Sequence, residues 1–246
     1  MRNRHSQLIR RYLKVYVLAS LADWLQGPYV YALYEQYGYS SYDIAVLFVA
    51  GFGSSMFFGS FIGGMADSCG RRKFVVIFSI LYSLSCLSKH FSNYSILIVG
   101  RFLGGIASSL LFSVFDAWLI RAHSDSGLDK SYLSASFSQA TYCKFCIAIF
   151  AGLIANKVAI STKMQPFNIH EDSNIINQLP SLFIGGCINV FDLAMVSAIL
   201  CGILATVLWE ENYGAAHKNV QDHDEERQTE LDHEQIESGL QKQTES

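Results

Sequence analysis

The stretch Ile44–Ala66 reads IAVLFVAGFGSSMFFGSFIGGMA and holds no charged side chain. About 20 apolar residues in a helix cross the roughly 30 Å hydrocarbon core of a bilayer. A helix on the surface of a soluble core keeps one polar face, because that face meets water. This stretch keeps none, so it reads as a membrane-spanning helix.

Working outward from it, five similar runs can be drawn, giving spans at 12–33, 44–66, 74–89, 95–119, 132–156 and 187–209. The expectation is an all-α, polytopic membrane protein, a bundle of six helices over 12–209. A basic segment, 1–11, precedes it and an acidic tail, 210–246, follows. The first run continues past Asp23 to Leu33, and no small-residue cleavage site ends it. It is therefore read as a span and not as a cleaved signal peptide.

Charge divides the chain. The whole carries −3, but residues 210–246 carry −8 and residues 1–209 carry +5. The tail has too little apolar surface to offset the entropy of ordering, so it is expected to be disordered or a marginal helix. The basic residues of the body sit at span ends. They call for no nucleic-acid partner. Arg2, Arg4, Arg10 and Arg11, then Arg71, Arg72 and Lys73, then Arg121 and Lys130 all fall on one side when the helices alternate. The other side receives Lys89, Lys157 and Lys163. The positive-inside rule then places both the N-terminus and the tail in the cytoplasm.

The six cysteines lie in or beside apolar runs, which is poor placement for an extracellular disulfide framework. Cys143 and Cys146 form a CxxC inside a span without a second pair, and read as packed thiols. Asn93-Tyr94-Ser95 matches a glycosylation sequon in a very short outer loop. His217, His223 and His233 of the tail are irregularly spaced and read as solvated. No nucleophile–base pair, phosphate-binding loop or metal constellation appears, so neither an enzyme nor a cofactor is expected.

Five charges interrupt the spans: Asp23, Arg101, Asp116, Lys144 and Asp192. Each would cost about 2.5–3.5 kcal/mol facing lipid at the bilayer centre, so they should face an interior or a watery cavity. Asp192 lies near enough to the outer edge of its span to reach water. Asp23 and Lys144 fall near the midpoints of theirs and can pair across spans 1 and 5. Tyr16, Ser20, Asp23, Gln26 and Gly27 share one face of span 1. Gly27-Pro28 follows, where proline removes a backbone bond and kinks the helix. This pattern fits a substrate pathway, or a structural polar zipper with an ordinary kink. On span 4, Ser108, Ser109 and Ser113 lie between Arg101 and Asp116. A guanidinium with hydroxyls can hold a tetrahedral oxyanion; alternatively Arg101 snorkels to the outer interface. Gly59-x-x-x-Gly63 and Gly100-x-x-x-Gly104 allow close helix packing.

The loop after span 2 reads Gly63-Gly64-Met65-Ala66-Asp67-Ser68-Cys69-Gly70-Arg71-Arg72-Lys73. It resembles the signature between helices 2 and 3 of the major facilitator superfamily. The resemblance implies a gating motif built of Gly63, Asp67, Gly70, Arg71, Arg72 and Lys73. In it Asp67 and an arginine link to the cytoplasmic end of helix 4, with Asp116 as partner. Gly100-Arg101-Phe102-Leu103-Gly104-Gly105 looks like the family's helix 4 motif. Asp23–Tyr34, Gly104–Ser113, Trp118-Leu119-Ile120 and Trp209–Gly214 are similar to the molybdate-anion transporters of that superfamily. That similarity runs over about 15–214 and thins at 157–186. It implies a secondary-active plasma-membrane transporter of molybdate, a tetrahedral dianion, and the charges and polar faces read above then place Asp23, Gln26, Arg101, Ser109, Asp116 and Lys144 on the expected substrate path.

That family has a second bundle of six helices. A truncated gene product or splice form, assembly with a second half or copy, and loss of transport are the three explanations for a lone first half, and the first is the expectation. Two other functions stay open: a carrier of another solute, and a non-transporting membrane protein that binds a full-length relative.

Overall fold

The structure is a computed structural model, and it describes residues 2–166 and 183–212. The middle of the 157–186 loop and the tail beyond 212, with His217, His223 and His233, lie outside the described residues. The described chain forms α1 (Arg2–Gln26), α2 (Tyr29–Gln36), α3 (Ser41–Cys69), α4 (Arg71–Ser88), α5 (Tyr94–Asp125), α6 (Lys130–Ser161) and α7 (Ile188–Leu208). A two-residue antiparallel pair, β1 (Gln165–Pro166) and β2 (Phe183–Ile184), also forms.

Three helices, α3, α5 and α6, start where a side chain satisfies their first amide groups. Ser40 and Asp43 form a reciprocal capping box at the head of α3. Asn93 caps α5 by accepting from the Ser95 and Ile96 amides, at 2.9 and 3.4 Å. The sequon asparagine is thus a helix cap. Asp129 caps α6. Gly70 ends α3 and begins α4 at a φ of 99°, a conformation that L side chains rarely adopt.

The first span is two helices, because the chain breaks at Gly27-Pro28 as proline chemistry predicts. Four helices, α3, α5, α6 and α7, are long and apolar enough to cross a membrane. The 29 residues of α3 alone reach about 44 Å at 1.5 Å per residue. The α1–α2 rod and α4 pack in the same bundle and bring it to six helical rods. The short α4 begins with Arg71, Arg72 and Lys73, which lower its mean hydropathy.

Neighbouring helices follow one another in space as α6, α1, α7, α4, α5 and α3. α6 and α3 stand at the two ends of that series, so the bundle is open between them. Gly100, Gly104 and Gly105 set how close α5 comes to its neighbours. A methyl on Gly104 would lie 2.8 Å from the Ser85 hydroxyl of α4, and one on Gly105 would collide with Gly51 and Ser54 of α3. Gly63, expected to do the same, faces open space. At one end of the bundle Trp209 stacks on Trp118, ring centroids 4.0 Å apart, with Tyr12 and Phe115 against it. The opposite end is tied by the Phe183 amide donating to the His90 carbonyl at 2.8 Å.

Candidate functional site

Three layers of polar side chains run through the bundle interior. In the first, at the Gly27-Pro28 break, Arg101 of α5 turns inward. Its Nε donates to the Leu47 carbonyl of α3 at 3.3 Å, and its guanidinium lies 4.5 Å from the Phe48 ring centroid. A methyl on Gly51 would touch it at 3.3 Å, so glycine there makes room for the arginine. Arg101 therefore does not snorkel to the interface. No carboxylate pairs with it among the described residues. Tyr34 and Tyr82 stand within electrostatic reach of it. Tyr82 donates to the Ala22 carbonyl at 2.7 Å and accepts from the Gln26 amide. The Tyr34 hydroxyl and Gln26 Oε1 are buried without a partner among the described residues.

The second layer is Asp23, half-buried on α1, with Lys144 on α6. These two do not touch as an ion pair. Lys144 instead lies over the Phe112 ring of α5, 5.0 Å from its centroid. Its charge reaches both Asp23 and the third layer, where Asp116 accepts from the Tyr12 hydroxyl at 3.2 Å. Tyr12 stacks on Tyr16, which continues the polar face of α1 toward Asp23. Asp192 lies away from all three layers, bonded to His90 at 2.9 Å.

The serine trio of α5 does not surround an anion with Arg101. Ser109 donates to the Ser55 carbonyl of α3 at 2.6 Å, Ser108 to Gly104 at 3.0 Å, and Ser113 to the Ser109 carbonyl. A hydroxyl has one proton, and these three spend it on backbone. Ser109 belongs to the α3–α5 seam.

The loop motif is arranged differently from its expected gate. Asp67 accepts from Arg71 Nε at 3.0 Å, within its own turn. Asp116 is partner to neither Arg71 nor Arg72. Arg72 instead meets the segment after α7. Its amide donates to Glu211 Oε1 at 2.9 Å, and its guanidinium donates to the Trp209 carbonyl at 3.2 Å. The Glu211 carboxylate rests on Gly70, where a methyl would lie 2.5 Å from it. Trp118 donates to the Glu210 carbonyl at 3.0 Å, and the Asn212 side chain to the Trp118 carbonyl at 3.3 Å. Lys73 and Gly63 take no part in these bonds.

A groove of about 420 Å³ runs between α4 and α7 and is lined by apolar residues with Ser79, Ser83 and Thr206. It contains none of the interior charges, so the polar layers and not this groove are the candidate site.

Sequence reasoning missed Tyr12, Tyr34 and Tyr82, since tyrosine in an apolar run reads as packing. The helical spacing of Tyr12 and Tyr16 with Asp23 was the available signal.

A bundle of long apolar helices with a kinked first span is that of an integral, multi-pass membrane protein. Over residues 3–176 the chain matches the family MFS_5, described as sugar transporters with 12 transmembrane segments. The chain belongs to this family of the major facilitator superfamily. Among its relatives, a molybdate-anion transporter of Takifugu rubripes is 39% identical over 149 residues, 60% of this chain and 31% of the relative. One of Xenopus tropicalis is 37% identical over 204 residues, 82% of this chain and 40% of the relative. The chain thus spans well under half the length of these relatives.

Proposed function

We propose that this bundle is the N-terminal half of a secondary-active carrier of molybdate or a similar tetrahedral oxyanion. The observation that carries the reading is Arg101: a half-buried guanidinium turned to the interior with no carboxylate paired to it among the described residues. An uncompensated buried charge is costly, and a bound anion repays that cost. A neutral sugar would not. The resemblance to molybdate-anion transporters favours the same class of cargo.

In this reading Arg101 binds the oxyanion. Asp23, Gln26, Asp116 and Lys144 line its path below, with Lys144 as a mobile counter-charge between the two carboxylates. Ser109 holds the helix seam and is not on the path. The gate is the turn from Asp67 to Arg72 clasped to Glu211. A second transporter half, or a second copy, covers the open side between α3 and α6. The basic end, with Arg71, Arg72 and Lys73, faces the cytoplasm of a cell whose plasma membrane holds the protein.

The test is equilibrium binding of molybdate to the chain in lipid nanodiscs. Wild type should bind saturably, and Arg101→Gln should weaken binding about tenfold or more. Equal binding by both would remove the reading.

A further inference from the structure

Three basic residues stand at the turn from α3 to α4, and two of them are engaged there. Arg71 donates to Asp67, and Arg72 donates to the Trp209 carbonyl. Lys73 is exposed and joins no ion pair among the described residues. Lys73, Val76, Ile80, Ser83 and Leu87 recur at intervals of three and four, so they share one face of α4. The last four of these line the groove between α4 and α7. Lys73 therefore stands one turn beyond the end of the groove, on the groove's own face.

The groove suits hydrocarbon. Its floor is a close approach of the two helices, where a methyl on Gly202 would lie 2.7 Å from the Ser79 hydroxyl. Its walls are exposed aliphatic side chains, Ile80, Leu84 and Leu87 on α4 with Ile199 and Ile203 on α7. Ser79, Ser83 and Thr206 also line it, but they donate to the Val75, Ser79 and Ile203 carbonyls of their own helices at 3.2, 2.7 and 2.7 Å. A hydroxyl has one proton, so these three offer none to a ligand. The α4 wall from Val76 to Leu87 is about 17 Å long at 1.5 Å per residue. One leaflet of a bilayer core is about 15 Å deep, half of roughly 30 Å. An acyl chain entering beside Lys73 would be covered along its length.

The charge at the mouth selects among lipids. The two acids that follow α7 are engaged elsewhere, Glu210 with Arg11 at 3.7 Å and Glu211 with the Arg72 amide at 2.9 Å. A lysine stem can lie along apolar surface while its ammonium reaches the headgroup level. A zwitterionic headgroup brings its own cation and gains less from that ammonium, and a sterol brings no charge to it. We propose that the groove between α4 and α7 seats an acyl chain of an anionic phospholipid, whose headgroup is held by Lys73. This site is separate from the polar interior and goes beyond the carrier reading, since it stands whatever the cargo is.

The experiment is native mass spectrometry of the chain in detergent, titrated with phosphatidylglycerol or with phosphatidylcholine of the same acyl chains. Wild type should retain phosphatidylglycerol about fivefold more strongly, the preference one lysine at a membrane surface gives. Lys73→Gln should narrow that ratio about threefold or more, and Lys73→Arg should keep it. Ile199→Trp fills the groove from an exposed position and should lower phosphatidylglycerol retention about threefold or more, whereas Ile149→Trp on an exposed face of α6 should not. Equal retention of the two lipids by wild type would overturn the proposal. So would a ratio unchanged in Lys73→Gln, or retention unchanged in Ile199→Trp. Displacement of phosphatidylglycerol by equimolar cholesterol would give the groove to a sterol and overturn it as well. If Ile199→Trp does not fold, Lys73→Gln decides, because its exposed side chain has no partner to lose.

Discussion

Arg101 and Ser109 share α5, yet their surroundings assign them different work. The guanidinium has a backbone carbonyl and a ring for company, whereas the Ser109 hydroxyl is bonded across the seam to Ser55. Ser109→Ala should therefore lower thermal stability by about 1 kcal/mol and leave molybdate affinity unchanged. A loss of affinity with no loss of stability would put Ser109 back on the path. Gly105→Ala should be far more damaging, because its methyl meets the Gly51 backbone, which cannot swing aside. A cost of roughly 1–3 kcal/mol in unfolding measurements follows from overpacking. At this scale the charges were legible in the sequence, since a charge in lipid is too costly to be incidental. The hydroxyls were not. Where Ser108, Ser109 and Ser113 send their protons depends on which carbonyl a neighbouring helix presents. Lys89, which turns inward and is buried, was misread for a related reason: position at a span end does not say whether a flexible side chain turns out or in.

At the scale of elements, the segment after α7 acts as a clasp. It crosses the α3–α4 turn, and Glu211 accepts the Arg72 amide at the head of α4, where a carboxylate also suits the helix dipole. Glu211→Ala should cost about 1–3 kcal/mol in thermal unfolding, and Glu211→Gln, which keeps an acceptor, should cost less. The opposite end has its own staple between α4 and α7, from His90 to Asp192. Burial alone would push the His90 imidazole down, but the bonded Asp192 carboxylate outweighs it and holds His90 above its ordinary value. A raised value in the folded state gives stability that is full below about pH 6.5 and lost as pH climbs through the raised value. Thermal stability should accordingly fall as pH rises above neutral, and Asp192→Asn should flatten that slope. A pH profile unaffected by Asp192→Asn would exclude the staple. The run of spans was readable because apolar length and the Gly27-Pro28 break are local properties. The clasp was not, since Glu211 and Arg72 meet only after four helices have packed.

At the scale of the molecule, the open side between α3 and α6 needs an occupant. Exposed apolar residues alone do not require one, since lipid is as apolar as Phe52, Met56 and Phe57 of α3 or Phe145, Ile149 and Phe150 of α6. The charges do. Asp23 and Lys144 are only half-buried, and if the open side met lipid each would cost about 2.5–3.5 kcal/mol. The proposed occupant is protein, or a water-filled cleft enclosed by protein. Gly63 of α3 and Gly152 of α6 offer a way to find it, because a side chain at either position meets nothing within 4 Å in this bundle. Gly63→Cys and Gly152→Cys should thus fold as wild type does. In native-like membranes both should give oxidant-dependent adducts that wild type does not, at twice the chain's mass if a second copy fills the gap and at another mass if a different half does. Cysteines there that remain uncrosslinked and freely reactive with lipid-soluble reagents would mean that the side stays open to the bilayer. Two midplane charges would then stand unsheltered, and the assignment of Asp23 and Lys144 to a sheltered path would fail with it.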